Sequence, residues 1–183
     1  LHSTLNMTLP QKEHIVVRAL AGDEAAFGDL YERYLDDIYH YVYYRVNSRE
    51  EAEDLSEAVF LRSWQALDEN PPREETFLLW LYRIAHNAVV DHYRTRREQV
   101  GLEAAAGIPD SIEGPEETIA CREDIAELRR ALRQLSEDHQ EVLTCRFIVG
   151  LSHAETAVVM ARSEQAVRAL QYRAIVMLRT LLR

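Results

Sequence analysis

The stretch "WLYRIAHNAVVDHYRTRRE", Trp80–Glu98, decides how the chain is read, because it carries two different stripes at one helical period. Counting from just upstream, Phe77, Leu81, Ile84, Ala85 and Ala88 share one face and suit a packed core. Beside them run Trp80, Arg83, Asn87, Asp91 and Arg94, spaced 3, 4, 4 and 3, which places all five in one line on a helix. The pattern predicts a helix from about Thr76 to Arg96.

The second stripe has the chemistry of a nucleic-acid contact. An aromatic ring offers a surface on which a base stacks. Asn bonds bidentately to adenine, and Arg contacts guanine or phosphate. Asp91 could orient Arg94 or accept from a base amine. The same spacing also suits a solvated flank, with Trp80 in the core and Asp91–Arg94 as an ordinary surface pair. Spacing alone does not choose between the two.

Upstream, "DEAAFGDLYERYLDDIYHYVYYRV" begins at a capping candidate, Asp23, with apolar positions Phe27, Leu30, Tyr31, Tyr34, Ile38 and Tyr41 at helical spacing. Ser48 followed by Glu51 forms a capping-box pattern and predicts a helix from about Arg49 to Leu67. In that helix Ala52, Leu55, Val59 and Ala66 suit a core. Glu53, Glu57, Phe60 and Trp64 form a separate acidic and aromatic stripe, either a docking surface for a basic partner or a second buried side. "DENPPREE" then breaks the helix, since two prolines in a polar run cannot continue it.

Downstream, residues 98–123 hold three Gly, two Pro and seven acidic residues and read as an acidic linker. Helical patterns resume in "DIAELRRALRQL", "EDHQEVLTCRFIV" and "SHAETAVVM", with a long helix from about Ser163 to the C-terminus. No strand signal stands out. The chain is therefore expected to be all-α, with two small helical domains joined by the linker.

The last segment, "GLSHAETAVVMARSEQAVRALQYRAIVML", has a tighter grammar. Gly150 ends one helix, and Ser152 with Glu155 caps a short one that stops near Met160. Ala161–Arg162 makes a brief turn, and Ser163 caps the next helix. Val167, Leu170, Ala174 and Leu178 face inward, leaving Glu164, Gln165, Arg168, Ala169, Tyr172 and Arg173 outward. A short helix, a tight turn and a longer helix with a polar start match a helix-turn-helix, whose second helix enters the major groove. Gln165 and Arg168 would read base edges, while Arg162 and Arg173 would hold phosphates. A plain helical hairpin is the alternative.

Composition excludes several classes. The 183 residues are 47% hydrophobic and 28% charged, which fits a folded chain and not a disordered one. No apolar run approaches a membrane span and the first residues lack a secretory pattern, so a cytosolic protein is expected. Met7 is a plausible start. Cys121 and Cys145 fit reduced thiols, and the seven His form no metal-ligand spacing, so neither a metal nor another cofactor is expected. No nucleophile–base set or phosphate-binding Gly loop is present, and no enzyme activity is expected. The net charge of −10 argues against non-specific coating of nucleic acid. That charge is uneven: residues 1–97 hold 11 Lys+Arg against 17 Asp+Glu, residues 98–123 hold 1 against 7, and residues 124–183 hold 9 against 7. The C-terminal unit is thus the basic one.

Taken together, the segments resemble the two-domain extracytoplasmic-function sigma factors of bacterial RNA polymerase. "AFGDLYERYLDDIYHYVYYRV" with "EEAEDLSEAVFLRSWQAL" is similar to their regions 2.1 and 2.2, and "FLLWLYRIAHNAVVDHYRTRRE" to regions 2.3 and 2.4. "ALRQLSEDHQEVLTCRFIVGLSHAETAVVMARSEQAVRALQYRAIVMLRTLL" resembles region 4. The resemblance implies an N-terminal segment at 1–22, region 2 at 23–97, a linker at 98–123 and region 4 at 124–183. It implies that Asp54, Leu55, Glu57, Phe60 and Trp64 dock on the coiled coil of the polymerase's largest subunit. The loop Asp68 to Glu75 and the face Arg83, His86, Asn87, Asp91 and Arg94, with Trp80 from the stripe above, would open and read the −10 element. Arg162, Ser163, Glu164, Gln165, Arg168, Ala169, Tyr172 and Arg173 would bind the −35 element. Promoter DNA, core polymerase and an anti-sigma factor are the partners implied.

The chain departs from the family pattern at Glu57–Ala58, where Gln-Glu or Gln-Asp is usual. It departs again at Pro71–Pro72, at Ala161 in place of the turn glycine, and at Ala169–Leu170. Two other functions compete with the promoter-directing one. A helix-turn-helix regulator would bind duplex operators without polymerase, and a degenerate sigma-like adapter would bind polymerase and read no promoter.

Overall fold

The computed structural model describes residues 14–46, 48–67, 71–100, 127–128 and 130–182. Among these, every regular element is helical. The N-terminal unit comprises α1 (His14–Leu20), α2 (Glu24–Val46), α3 (Arg49–Ala66) and α4 (Phe77–Val100), the last entered through a 3-10 turn at Glu74–Thr76. The C-terminal unit comprises α5 (Glu137–Leu143), which widens into a π-helical turn at Thr144–Ile148, then α6 (His153–Val159) and α7 (Glu164–Leu181). Helical residues 130–133 precede α5.

The helix starts follow from their caps. Asp23 accepts from the Ala26 amide at 3.1 Å, while Arg18 holds its carboxylate at 2.6 Å. Both interactions keep the Asp23 carboxyl below its ordinary pKa, the backbone bond more than the arginine. Ser48 accepts from the Glu51 amide, but the reciprocal half of the box is missing. The Glu51 carboxylate instead takes Arg96 of α4 at 3.0 Å, tying two helices together. The Ser152–Glu155 box is complete, with bonds of 3.1 and 2.7 Å. Ser136 and Ser163 cap α5 and α7 through the amides of His139 and Ala166. α4 runs four residues beyond the expected Arg96, so the start of the acidic segment is helical. The rest of that segment, 101–123, lies outside the described residues, as do residues 124–126 and 1–13.

Two cores form. The first is built from Leu30, Ile38 and Val42 of α2, Ala52 and Val59 of α3, and Phe77, Leu81, Ala85 and Val89 of α4. The second joins Leu135, Val142 and Leu143 to Ala157, Met160, Val167, Leu170 and Ala174. Two residues of the C-terminal unit, Cys145 and Val159, belong to the first core, so the units are packed against each other.

A charged cluster crosses that junction. Glu141 on α5 meets Arg45 of α2 at 2.8 Å, off the N–H axis, as an ion pair. Tyr41 donates to the same carboxylate at 2.5 Å, and His86 of α4 lies 3.3 Å from it. Arg45 also donates to the Glu137 carbonyl at 3.2 Å. Arg45 and Glu141 are each only 1% exposed. Burial disfavours the Glu141 charge, but Arg45, then His86 and Tyr41, outweigh it and bring the carboxyl down to about 2. Cys145, one turn on, donates to Glu141 at 3.3 Å, and burial pushes its thiol pKa up.

Two outcomes follow from this geometry. Ala161 sits at φ +51 and completes a Schellman end for α6, with Arg162 N–H on the Ala157 carbonyl at 3.0 Å. Left-handed backbone disfavours alanine by roughly 1–2 kcal/mol, and glycine's freedom in the unfolded chain offsets about 0.4–1 kcal/mol of that. Ala161→Gly is expected to stabilise the C-terminal unit by about 0.5–1 kcal/mol in urea unfolding; a lowered midpoint would contradict this. Glu141, with its folded pKa depressed, stabilises the fold above its ordinary 4.5 and loses that contribution as pH falls toward about 2. The stability gap between wild type and Glu141→Gln should be constant above about pH 5 and narrow on acidification; a widening gap would be the contrary result.

Candidate functional site

Three surfaces carry the candidate residues. The first is an open groove between α2 and α3, lined by Phe27, Tyr31, Phe60, Leu61 and Trp64 with Glu24 and Glu57 at its rim. Phe27 meets Trp64 at 4.8 Å between ring centroids, and Tyr31 meets Phe60 edge-on at 4.7 Å. These pairs make a rigid apolar surface beside carboxylates. Of the residues read as a docking stripe, Asp54 and Glu57 are exposed and Leu55 and Trp64 half-buried. Phe60 forms the floor of the groove: it is 3% exposed, with Tyr31 packed edge-on against it. The exposed apolar side chain is its neighbour Leu61, at 60%. Sequence reasoning missed it, although Glu57, Leu61 and Trp64 sit at i, i+4 and i+7 on one face.

The second surface is the outer flank of α4. Arg83, Asn87 and Arg94 are exposed in one line, with Val90 among them at 40% exposure. Asp91 lies between Arg94 at 3.1 Å and Arg62 of α3 at 3.7 Å. Trp80 is half-buried, its ring 5.7 Å from that of Phe77, so it faces the core edge as much as the flank. His86 turns away from the exposed line, with its ring nitrogen 3.3 Å from the Glu141 carboxylate. In the loop before α4, residues 68–70 fall outside the described residues; Pro71, Arg73 and Glu75 are exposed.

The third surface is the α6–turn–α7 unit. Arg162, Ser163, Glu164, Gln165, Arg168, Ala169, Tyr172 and Arg173 are all exposed, with Tyr172 at 70%. Arg146 fixes the register between the π-helical turn and α7. It donates to the Leu151 carbonyl and, at 3.1 Å, to Gln171, whose oxygen also meets His153 at 2.9 Å. Two of the basic groups have acidic neighbours: Arg162 with Asp138 at 2.7 Å and Arg168 with Glu164 at 2.5 Å. Exposed pairs of this kind contribute little, so phosphate can displace the carboxylates. Among the described residues no group of three or more His, Cys, Asp or Glu is arranged to hold a metal, and no helix is long and apolar enough to cross a membrane.

Comparison with known proteins matches this arrangement to one family. Residues 30–99 match Sigma-70 region 2, and residues 131–180 match Sigma-70 region 4. The ECF RNA polymerase sigma factor BldN of Streptomyces coelicolor is 41% identical over 165 residues, covering 88% of this chain. The chain spans 62% of the length of BldN. RNA polymerase sigma factor CnrH of Cupriavidus metallidurans is 32% identical over 162 residues, 84% of each chain. The solved structure of CnrH in complex with the cytosolic domain of CnrY aligns with a TM-score of 0.70 at 28% identity, over 93% of this chain and 96% of that one. The sigma factor RpoE, solved with the anti-sigma factor NepR from Bartonella quintana, shares the fold, with a TM-score of 0.72 at 20% identity over 85% of this chain and 96% of that one. With both sigma regions in order and relatives of this identity along most of its length, the chain belongs to the sigma-70 family, among the extracytoplasmic-function RNA polymerase sigma factors.

Proposed function

We propose that the protein is a transcription initiation factor that binds core RNA polymerase and directs it to promoters. The groove between α2 and α3 takes the polymerase, α4 and the loop before it open and read the −10 element, and α7 binds the −35 element. One observation carries this reading: both sigma regions occur in order on one chain, each with an exposed polar and basic helix face. A duplex-binding regulator accounts for α6 and α7 alone and leaves the groove and the α4 line without a use.

The chemistry is binding throughout. Glu57 and Glu24 flank an apolar floor, which suits a basic amphipathic helix with aliphatic anchors. Arg83 and Arg94 would hold phosphates on either side of Asn87, which is placed to bond a base edge. Captured bases leave the stack, so opening the duplex is driven by the affinity of the opened strand. The nucleotidyl transfer belongs to the polymerase. With a net charge of −10, the protein relies on the polymerase for much of its DNA affinity. CnrH and RpoE were each solved bound to another protein, CnrY and the anti-sigma factor NepR. An anti-sigma partner is proposed here by that likeness.

The test is run-off transcription with core polymerase from the host, on the region upstream of the protein's own gene. Glu57→Arg/Leu61→Ala should weaken core binding at least ~10-fold and abolish the transcript. Asn87→Ala should retain core binding and lower promoter-specific transcription roughly 5- to 150-fold, the range of one bidentate base contact. Wild-type core binding by the groove variant, or a transcript indifferent to both changes, would overturn the assignment.

A further inference from the structure

The carboxylate of Glu141 belongs to the C-terminal unit, yet apart from the Cys145 thiol the groups that meet it belong to the N-terminal one: Arg45 and Tyr41 from α2, His86 from α4. Nothing in the local pattern of α5 requires a buried acid. With the two units closed on each other, Glu141 and Arg45 are each 1% exposed. Beside this pair, Val159 of α6 and Cys145 pack into the N-terminal core, with Val149 and Leu151 partly covered against it.

We propose that Arg45 and Glu141, with Tyr41 and His86, form a latch that holds the free protein closed, and that the latch opens for promoter binding. The energetics suit a switch. Opening returns both charges to water, so a buried pair contributes little net free energy over the separated, hydrated ions. The remaining apolar contact between the units comes from Cys145, Val159, Val149 and Leu151. Removing one partner is different, because the other charge is then buried without compensation. The pair therefore sets a unique closed register, favoured in the free protein, without adding so much net stability that binding could not open it.

The consequence for function rests on the reading proposed above. The −10 and −35 elements, by their names, lie roughly 25 base pairs apart, about 85 Å of duplex at ~3.4 Å per pair. A compact chain of 183 residues has a radius of gyration of about 16 Å. A closed chain cannot reach both elements. Closure also turns His86 inward, so a residue of the proposed −10 helix is held by the C-terminal unit.

The thiol of Cys145 reports closure directly, since it is fully covered by the junction. In a Cys121→Ser background, its reaction with dithionitrobenzoate is measured in the free protein, without polymerase or DNA. Failure of the promoter reading would leave this result untouched. Arg45→Met and Glu141→Leu should each speed labelling at least tenfold. The double variant Arg45→Met/Glu141→Leu, which buries no unpaired charge, should return the rate toward wild type. Far-UV circular dichroism checks that each protein is folded, and the double variant separates a latch from general destabilisation. Equal rates in all four proteins would overturn the proposal, as would a double variant that labels as fast as the singles.

Discussion

The ion pair between Arg45 and Glu141 constrains the whole molecule, because two charges this deeply buried tolerate no misalignment. A carboxylate removed from water needs its lone pairs met by donors in fixed places. Tyr41 and Cys145 donate to one oxygen while Arg45 and His86 lie close against the carboxylate, and the contacts from α2 and α4 set how α5 sits on them. Around that point the apolar contacts of Cys145 and Val159 fall into register. The C-terminal unit is folded by its own core, but its placement is decided by this cluster.

What the junction leaves outward are the three surfaces proposed to bind polymerase and promoter. The groove between α2 and α3, the line of Arg83, Asn87 and Arg94, and the start of α7 all remain exposed in the closed arrangement. Their charges are held by weak exposed pairs, Arg62 and Arg94 with Asp91, Arg162 with Asp138, Arg168 with Glu164. Exposed pairs of this kind are weak, so a phosphate could replace the carboxylate at little free-energy cost. The buried pair and the exposed pairs thus differ in role: one fixes the arrangement, the others keep basic groups available.

Local structure was legible in the sequence because its causes are local. Asp23, Ser48, Ser152 and Ser163 each lie at the helix start their spacing implied, and the inward face of α4 is the one its period named. Pairing across long sequence separation was not legible. Tyr41 reads as a core residue and Glu141 as one more acid in a helical segment; the hydrogen bond that joins them spans 100 positions and leaves no periodic trace. His86 was read with the promoter-facing line for the same reason, since its buried partner lies in the other unit. Phe60 and Leu61 illustrate a finer limit. A shift of one position rotates a side chain by about 100° on a helix, so which neighbour forms the floor of a groove depends on the facing helix. Ala161 was visible as a departure from glycine, but its left-handed backbone could only be seen in three dimensions.

The central claim is that one chain holds two arrangements, closed when free and open on polymerase. Pulsed dipolar spectroscopy tests it most directly, with spin labels at Glu53→Cys on α3 and Met177→Cys on α7, both exposed, in a Cys121→Ser/Cys145→Ala background. The account predicts a single narrow distance in the free protein that lengthens when core polymerase is added. A broad distribution in the free protein, or a distance unchanged on polymerase, would contradict it.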